Sequence, residues 1–345
     1  MAGWEIPLSY GNPIAEHLAV RKTAGLIDQS HRGKLRLTGR DSASFLNGMV
    51  TNDISNLAPG AGLYAAITSD KAKMLSDARI YSLADAIWLD LEPGLAGKIY
   101  HHLDKYVIAA DVTIEDLSLQ IAIFSVYGPA SLPILQRFRS GFLPSTREYG
   151  LTAFDWEGQA VFAARNEITG EEGYDLFIPM DLAATVWSRL LEAGAPLSLV
   201  PVGLTALESL RIEAGIPRYG IDMDESNFPM EAGLEKTAIS YTKGCYIGQE
   251  TIARADARGQ MNRHLAGVAL SGDSVPAAGT PIHAVSFSPE AKPIGTVTGG
   301  VKSPTLGKVI ALGYLHRDHI KHGSIVIIDT RPATVTALPF YKRPG

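Results

Sequence analysis

Strand-length apolar runs, each closed within a few residues by glycine, proline or a polar turn, set the tightest limit on what this chain can fold into. From residue 264 onward HLAGVAL, TPIHAV, PIGTVTGG, VIALGYLH, SIVIID and ATVTALP follow one another with only turn-like segments between them. Short strands at such spacing predict a small all-β barrel or jelly roll. Upstream the strands alternate with helices. GKLRLTG reads as a strand, and Asp41 then caps a short helix through Phe45 and Met49. GLYAAITSD, DARIYSL and AIWLDLEP predict a hairpin-rich sheet, after which Ile99, Leu103 and Tyr106 fall on one helical face. The theme returns with strands at DVTIEDLS and IAIFSVYGP, a helix near 129–138, strands at QAVFAARNE and GYDLFIP, and a helix over 183–193. Two strand-rich stretches, each followed by a helix, predict an α+β body of two interleaved antiparallel-sheet units rather than a parallel βαβ sheet. GLTALESLRIEA forms one more helix, ended by Gly215 and Pro217. The expected division is a body over 1–262, with subdomains of roughly 1–118 and 119–262, and a C-terminal β-barrel over 263–345.

Composition excludes several function classes. One cysteine in 345 residues rules out an internal disulfide and four-thiolate ligation of zinc or a cluster within one chain. A net charge of -5 gives no general attraction for nucleic acid or an anionic membrane. No apolar run approaches the ~18 residues of a membrane helix, and MAGWEIPLSYGNP has neither a signal-peptide nor a transit-peptide pattern. The cytoplasm is the expected compartment. Locally the balance reverses: from Tyr241 to Leu265, Lys243, Arg254, Arg258 and Arg263 face only Glu250 and Asp256. An anionic ligand or partner could be drawn there.

That segment holds KGCYIGQE, residues 243–250. Gly244 and Gly248 free the backbone, Lys243 lies close, and Gln249 opens a helix, so the Cys245 thiolate could be stabilised by charge and dipole. The alternative is a packed, inert cysteine. Asp77, in KMLSDARIYSL, is either a solvated strand-end carboxylate or a partnered one. Glu171, in the turn ITGEEGYDLF, could accept two parallel N–H bonds from a flat heterocycle such as a pterin, or be solvated. Arg211 near a helix C-terminus complements the dipole or contacts a ligand. His316, His319 and His322 lie in a turn, and no metal site is expected from them. GxGxxG, P-loop, GxSxG and HExxH motifs are all absent.

KGCYIGQE, with Ala253-Arg254, Arg258-Gly259 and Arg263, resembles the signature of the YgfZ proteins, folate-binding relatives of the glycine-cleavage T-protein. EHLAVRKTAGLIDQSHRGKLRLTGRDSASFLNGMVTNDI, RNEITGEEGYDLFIP and LESLRIEAGIPRYGIDMDE resemble T-protein stretches, so the likeness spans nearly the whole chain. The resemblance implies a folate-binding body followed by a β-barrel, with tetrahydrofolate in a central opening. It implies that Glu171 holds the pterin edge, that Asp77 sits near the reactive nitrogens, and that Arg211, Tyr246 and Arg254 contribute to folate binding. Its YgfZ side implies an accessory role in assembly or repair of iron–sulfur clusters, with client or assembly proteins as partners and Cys245, beside Lys243, as the working thiol. Its T-protein side implies one-carbon transfer from an aminomethyl or N-methyl donor to tetrahydrofolate, with Asp77 as the catalytic carboxylate. Two departures bear on the second: Ser76-Asp77 stands where the T-protein has paired aspartates, and Glu167-Ile168 replaces its Gly-Tyr. The YgfZ role is therefore the leading expectation.

Overall fold

The computed structural model describes residues 3–258, 261–285 and 292–343. Among these the strands form two open sheets and a closed barrel. In the first sheet Gly62–Thr68, Met74–Ser82, Ile87–Leu91, Gly33–Thr38 and Thr113–Asp116 lie side by side, antiparallel throughout. The helix Ala96–Asp104 covers one face and sends Ile99 and Leu103 into a core with Leu35, Ile80 and Leu89. Full burial of each such side chain stabilises by about 1.5–3 kcal/mol.

The second sheet runs Val200–Pro201, Gly25–Asp28, Ile121–Tyr127, Gly173–Pro179, Gln159–Arg165 and Leu151–Trp156. Its outer face carries the helices Ser131–Phe138 and Ala183–Gly194. Gly25–Asp28 belongs to this sheet although it precedes the first in sequence, so the two α+β units are interleaved as expected. An aromatic layer joins the sheets: Tyr81 and Trp88 from the first meet Phe177 and Phe162 of the second edge-on, with ring centroids 5.2–5.9 Å apart.

Six strands from Arg263 to Thr336 close the barrel around Val268, Ile282, Val297, Leu315, Val326 and Val335. Closure leaves no strand edge to protect. A register shift between Val297 and Gly299 turns Thr298 out of the barrel, and its hydroxyl donates to Asp222 Oδ1 at 2.5 Å. A buried Ser303 hydroxyl donates to Glu213, and His17 Nε2 meets Thr305 Oγ1 at 2.8 Å. Barrel and body are thus fastened through the helix Leu204–Glu213 and the first helix, Pro13–Lys22.

That first helix and the strand Leu151–Trp156 were not expected from the sequence. The helix starts at Asn12, whose Oδ1 accepts from the Ile14 and Ala15 N–H groups, with Pro13 at the first helical position. Its apolar residues lack strong periodicity because it is wedged between the body and the barrel, with the polar Glu16 and His17 buried.

Candidate functional site

A cavity of about 290 Å³ opens where the inner edges of both sheets meet the helix Leu204–Glu213 and the segment 215–237. The strand Met74–Ser82 supplies Asp77 and Arg79, two residues apart and therefore on one face. Tyr64 is opposite Arg79 in the ladder, diagonal to Asp77, and its hydroxyl donates to Asp77 Oδ2 at 2.6 Å. Burial, with Asp77 adjacent, pushes the Tyr64 pKa well above its usual value, which keeps it a donor. The other oxygen, Asp77 Oδ1, is buried and has no hydrogen-bond partner among the described residues.

Beneath Asp77 lies a chain of paired charges. Asp90 stands opposite Arg79 and accepts from it at 2.8 Å while accepting from Arg32 Nε at 2.6 Å. Arg32 Nη1 also reaches Glu92 at 2.5 Å, and Arg218 Nε reaches the second Glu92 oxygen at 2.9 Å. Burial raises Asp77 to about 6, and the nearby Glu92 charge adds to the rise against the opposing pull of Tyr64, Arg32 and Arg79. Burial also opposes ionisation of Glu92, but Arg32, Arg218 and Arg79 outweigh it and hold Glu92 near 2. Two carboxylates in one cavity are thus held apart in acidity by their partners. Burial and the neighbouring Arg32 bring His31 down to about 4, so it is neutral at pH 7.

Arg211 also lines the cavity, but its donors are taken. Nη1 donates to Asp222 Oδ2 at 2.6 Å and to Ile216 O at 2.5 Å, while Nε and Nη2 grip Glu208. It clamps the turn after its helix and does more than complement a dipole. Tyr149, stacked on Tyr64 with centroids 6.4 Å apart, completes an aromatic wall, and Ile168, Leu204 and Leu207 make an apolar one.

Of the site residues expected from sequence, only Asp77 and Arg211 meet here. Asp77 is mid-strand and 8 % exposed rather than solvated at a strand end. Ser76 is fully buried on the opposite face and donates to the Asp77 carbonyl, so an aspartate there would not face the cavity. Glu171 is not in the cavity lining; it is buried against Arg21, 3.1 Å away, because its turn packs on the first helix. Tyr64, Arg79, Arg32, Glu92 and Asn166 were missed. The period-two signal from Asp77 to Arg79 would have found one of them.

The KGCYIGQE segment is elsewhere. Lys243 is 7 % exposed, and its ammonium donates to the carbonyls of Asn47, Val50 and Asn52 at 2.6, 2.8 and 2.7 Å. Tyr246 packs with Ala72, Met230, Ile239 and Ile252. Ile247 N–H donates to Gly48 O and its carbonyl accepts from Thr68 Oγ1. Gly248 has φ +85° and a Cβ there would lie 2.8 Å from Ser69 O. Cys245 is exposed, outside the cavity lining and ahead of the helix Gln249–Arg258. Arg254 is exposed and pairs with Glu250 one turn away, and Arg263 pairs with Glu231. Among the described side chains, the local cations Lys243, Arg254 and Arg263 are therefore spent on fastening the loop and on local pairs. Gly259 of the motif lies outside the described residues, as does the Arg258 side chain.

Comparisons with known proteins agree with the architecture. The model of the GCVT N-terminal domain matches residues 1–243, and that of the glycine cleavage T-protein C-terminal barrel domain matches 263–342. The chain is 35 % identical to the aminomethyltransferase of Streptomyces avermitilis, covering 99 % of this chain and 93 % of the relative. It is 31 % identical to that of Bacillus subtilis, covering 99 % and 94 %. The crystal structure of glycine cleavage system aminomethyltransferase T from Bartonella henselae superposes with a TM-score of 0.89 at 26 % identity, covering 99 % of this chain and 93 % of that one. These findings overturn the YgfZ expectation and, with it, the iron–sulfur assembly role and its client partners. KGCYIGQE and the few residues after it pointed that way; full-length relatives and the fold point to aminomethyltransferases.

Proposed function

Because the chain belongs to the glycine-cleavage T-protein family, we propose that it is a tetrahydrofolate-dependent aminomethyltransferase working in the cavity around Asp77. The family's cofactor is tetrahydrofolate, which when bound supplies the nucleophilic nitrogens that accept the one-carbon unit. The cavity suits its flat head. Among the described residues the buried acceptors Asp77 Oδ1 and Asn166 Oδ1 have no partners, and a pterin edge is rich in N–H donors. Tyr64 and Tyr149 offer an aromatic wall, and the volume lies at the small end of the roughly 300–1,000 Å³ range of ligand pockets.

The single observation that carries the reading is the unpaired, buried Asp77 Oδ1. Tyr64 fixes the carboxylate by donating to Oδ2, so Oδ1 points to one place. With a pKa of about 6, Asp77 is mostly ionised at neutral pH yet close enough to titration to take up a proton at Oδ1. Its negative charge, in a site screened from water, favours positive charge developing on the amine donor during transfer. Arg32 and Arg79 pair with Asp90 and Glu92, and among the described residues Asp77 has no ion-pair partner of its own. Purified protein given tetrahydrofolate and an aminomethyl donor, whose carbon is already at the formaldehyde level, should form methylene-tetrahydrofolate and release ammonia. Absence of both folate binding and product would sink the proposal.

A further inference from the structure

The ladder between Met74–Ser82 and Ile87–Leu91 sets Arg79 against Asp90. Carried two residues further, the same antiparallel register brings Glu92, one residue past its strand, to the position across from Asp77. Both side chains line the cavity and both are 8 % exposed. Like charges set across a ladder repel, and burial strengthens the repulsion.

Ion pairs compensate one of the two. Glu92 Oε1 accepts from Arg32 Nη1 at 2.5 Å and Oε2 from Arg218 Nε at 2.9 Å, whereas among the described residues Asp77 has no ion-pair partner. Arg218 comes from the segment 215–237 that completes the cavity, and its backbone N–H donates to Asp222 Oδ2 at 3.0 Å. Asp222 is fixed in turn by Arg211 and by Thr298 of the barrel. The groups around Asp77 come from several elements: Tyr64 from Gly62–Thr68, Arg79 from its own strand, and His31 and Arg32 from the turn before Gly33–Thr38. Glu92, Tyr149 and Arg218 complete the set. The Tyr64 and Tyr149 hydroxyls stay protonated, and His31 is neutral well above pH 4. Arg32, Arg79 and the Tyr64 hydroxyl favour the ionised Asp77, and Glu92 opposes it.

We propose that Glu92 is a positioning residue for the reaction: its negative charge, fixed by Arg32 and Arg218 across the ladder from Asp77, makes that carboxylate a stronger proton acceptor. Arg218 tempers the effect, so the two residues act on Asp77 with opposite sign. The inference rests on Asp77 being the reacting carboxylate, as proposed above.

Carbon-13 NMR of the ligand-free full chain, labelled at its aspartate carboxyls and with the Asp77 signal assigned by its loss in Asp77→Asn, reads this charge directly. The Asp77 midpoint should fall by roughly one pH unit in Glu92→Gln and rise by about half a unit in Arg218→Gln. Arg218→Lys, which keeps the cation, should stay within about 0.3 unit of wild type. A merely structural role would loosen the cavity, admit water and lower the midpoint in every variant. An unmoved midpoint in Glu92→Gln, or one that fails to rise in Arg218→Gln, overturns the proposal, and the second result decides it alone if Glu92→Gln does not fold. A rise in Arg218→Lys as large as in Arg218→Gln overturns it too. The acid limb of the kcat/KM profile, which reports the free enzyme, should follow the midpoint from variant to variant. Midpoints that shift as stated while the limb stays in place would overturn the role of Asp77 in the reaction, whereas unmoved midpoints would leave that role standing.

Discussion

The cavity around Asp77 and the loop at 243–250 hold the same kinds of residue, namely charges, a tyrosine and glycines, yet they do different things. In the loop the charged groups are paired by the chain itself: Lys243 with three carbonyls, Glu250 with Arg254. In the cavity Arg32, Arg79 and Arg211 are paired with carboxylates as well, yet among the described residues Asp77 Oδ1 and Asn166 Oδ1 are buried without partners. A buried acceptor left unpaired costs roughly 1–3 kcal/mol. That cost persists where a ligand relieves it. Residue type and motif do not separate the two regions; unsatisfied buried valence does.

Arg211 is where the contrast should show most strongly, since it touches the cavity while acting as a clamp. Arg211→Met should destabilise the fold by about 3–5 kcal/mol, read from denaturant unfolding, because Asp222 and Glu208 lose their buried partner. Unchanged stability with lost folate binding would make it a ligand contact instead. Asp77→Asn should lower the turnover rate on the order of a hundredfold with little change in melting temperature. A rate within twofold of wild type would remove the carboxylate from the mechanism. Lys243→Met should destabilise by about 2–3 kcal/mol through three orphaned carbonyls, while the protein that remains folded turns over normally.

A smaller effect is expected from pH. The Asp77 pKa is raised from 3.8 to about 6 on folding, so the neutral form is favoured in the native state. Its contribution to stability is fully present below pH 3.8 and is lost as pH rises through about 6. Activity that needs the ionised form runs the other way and should climb through the same interval. A pH–rate profile of wild type against Asp77→Asn, in which that limb disappears, would tie it to this group. The smallest effect belongs to the loop: Cys245→Ser, at an exposed position, should shift stability by less than about 0.5 kcal/mol and leave turnover unchanged. A large loss of turnover would place the thiol back in the chemistry.

Much of the fold was legible because strand alternation and helical spacing are local. The barrel strands and the helices at Ala96–Asp104 and Ala183–Gly194 lie where period and turn residues put them. The helix Pro13–Lys22 was not, since its two neighbours come from residues some 190 and 290 positions away, as the His17 contacts with Ser209 and Thr305 illustrate. Asp77 and Arg211 could be singled out by residue type and resemblance, whereas Glu171, chosen by the same reasoning, is buried against Arg21.

By itself the sequence determined the α+β body, the barrel, the absence of internal disulfides, and the kinship with folate-binding proteins, because composition and short-range pattern encode these directly. Only the tertiary structure decided which charged side chains face one another, and hence that Asp77 and Asn166 are left with free acceptors while Lys243 is spent on three carbonyls. Hydrogen-bond satisfaction is a property of atoms brought together from distant parts of the chain, and no local pattern reports it.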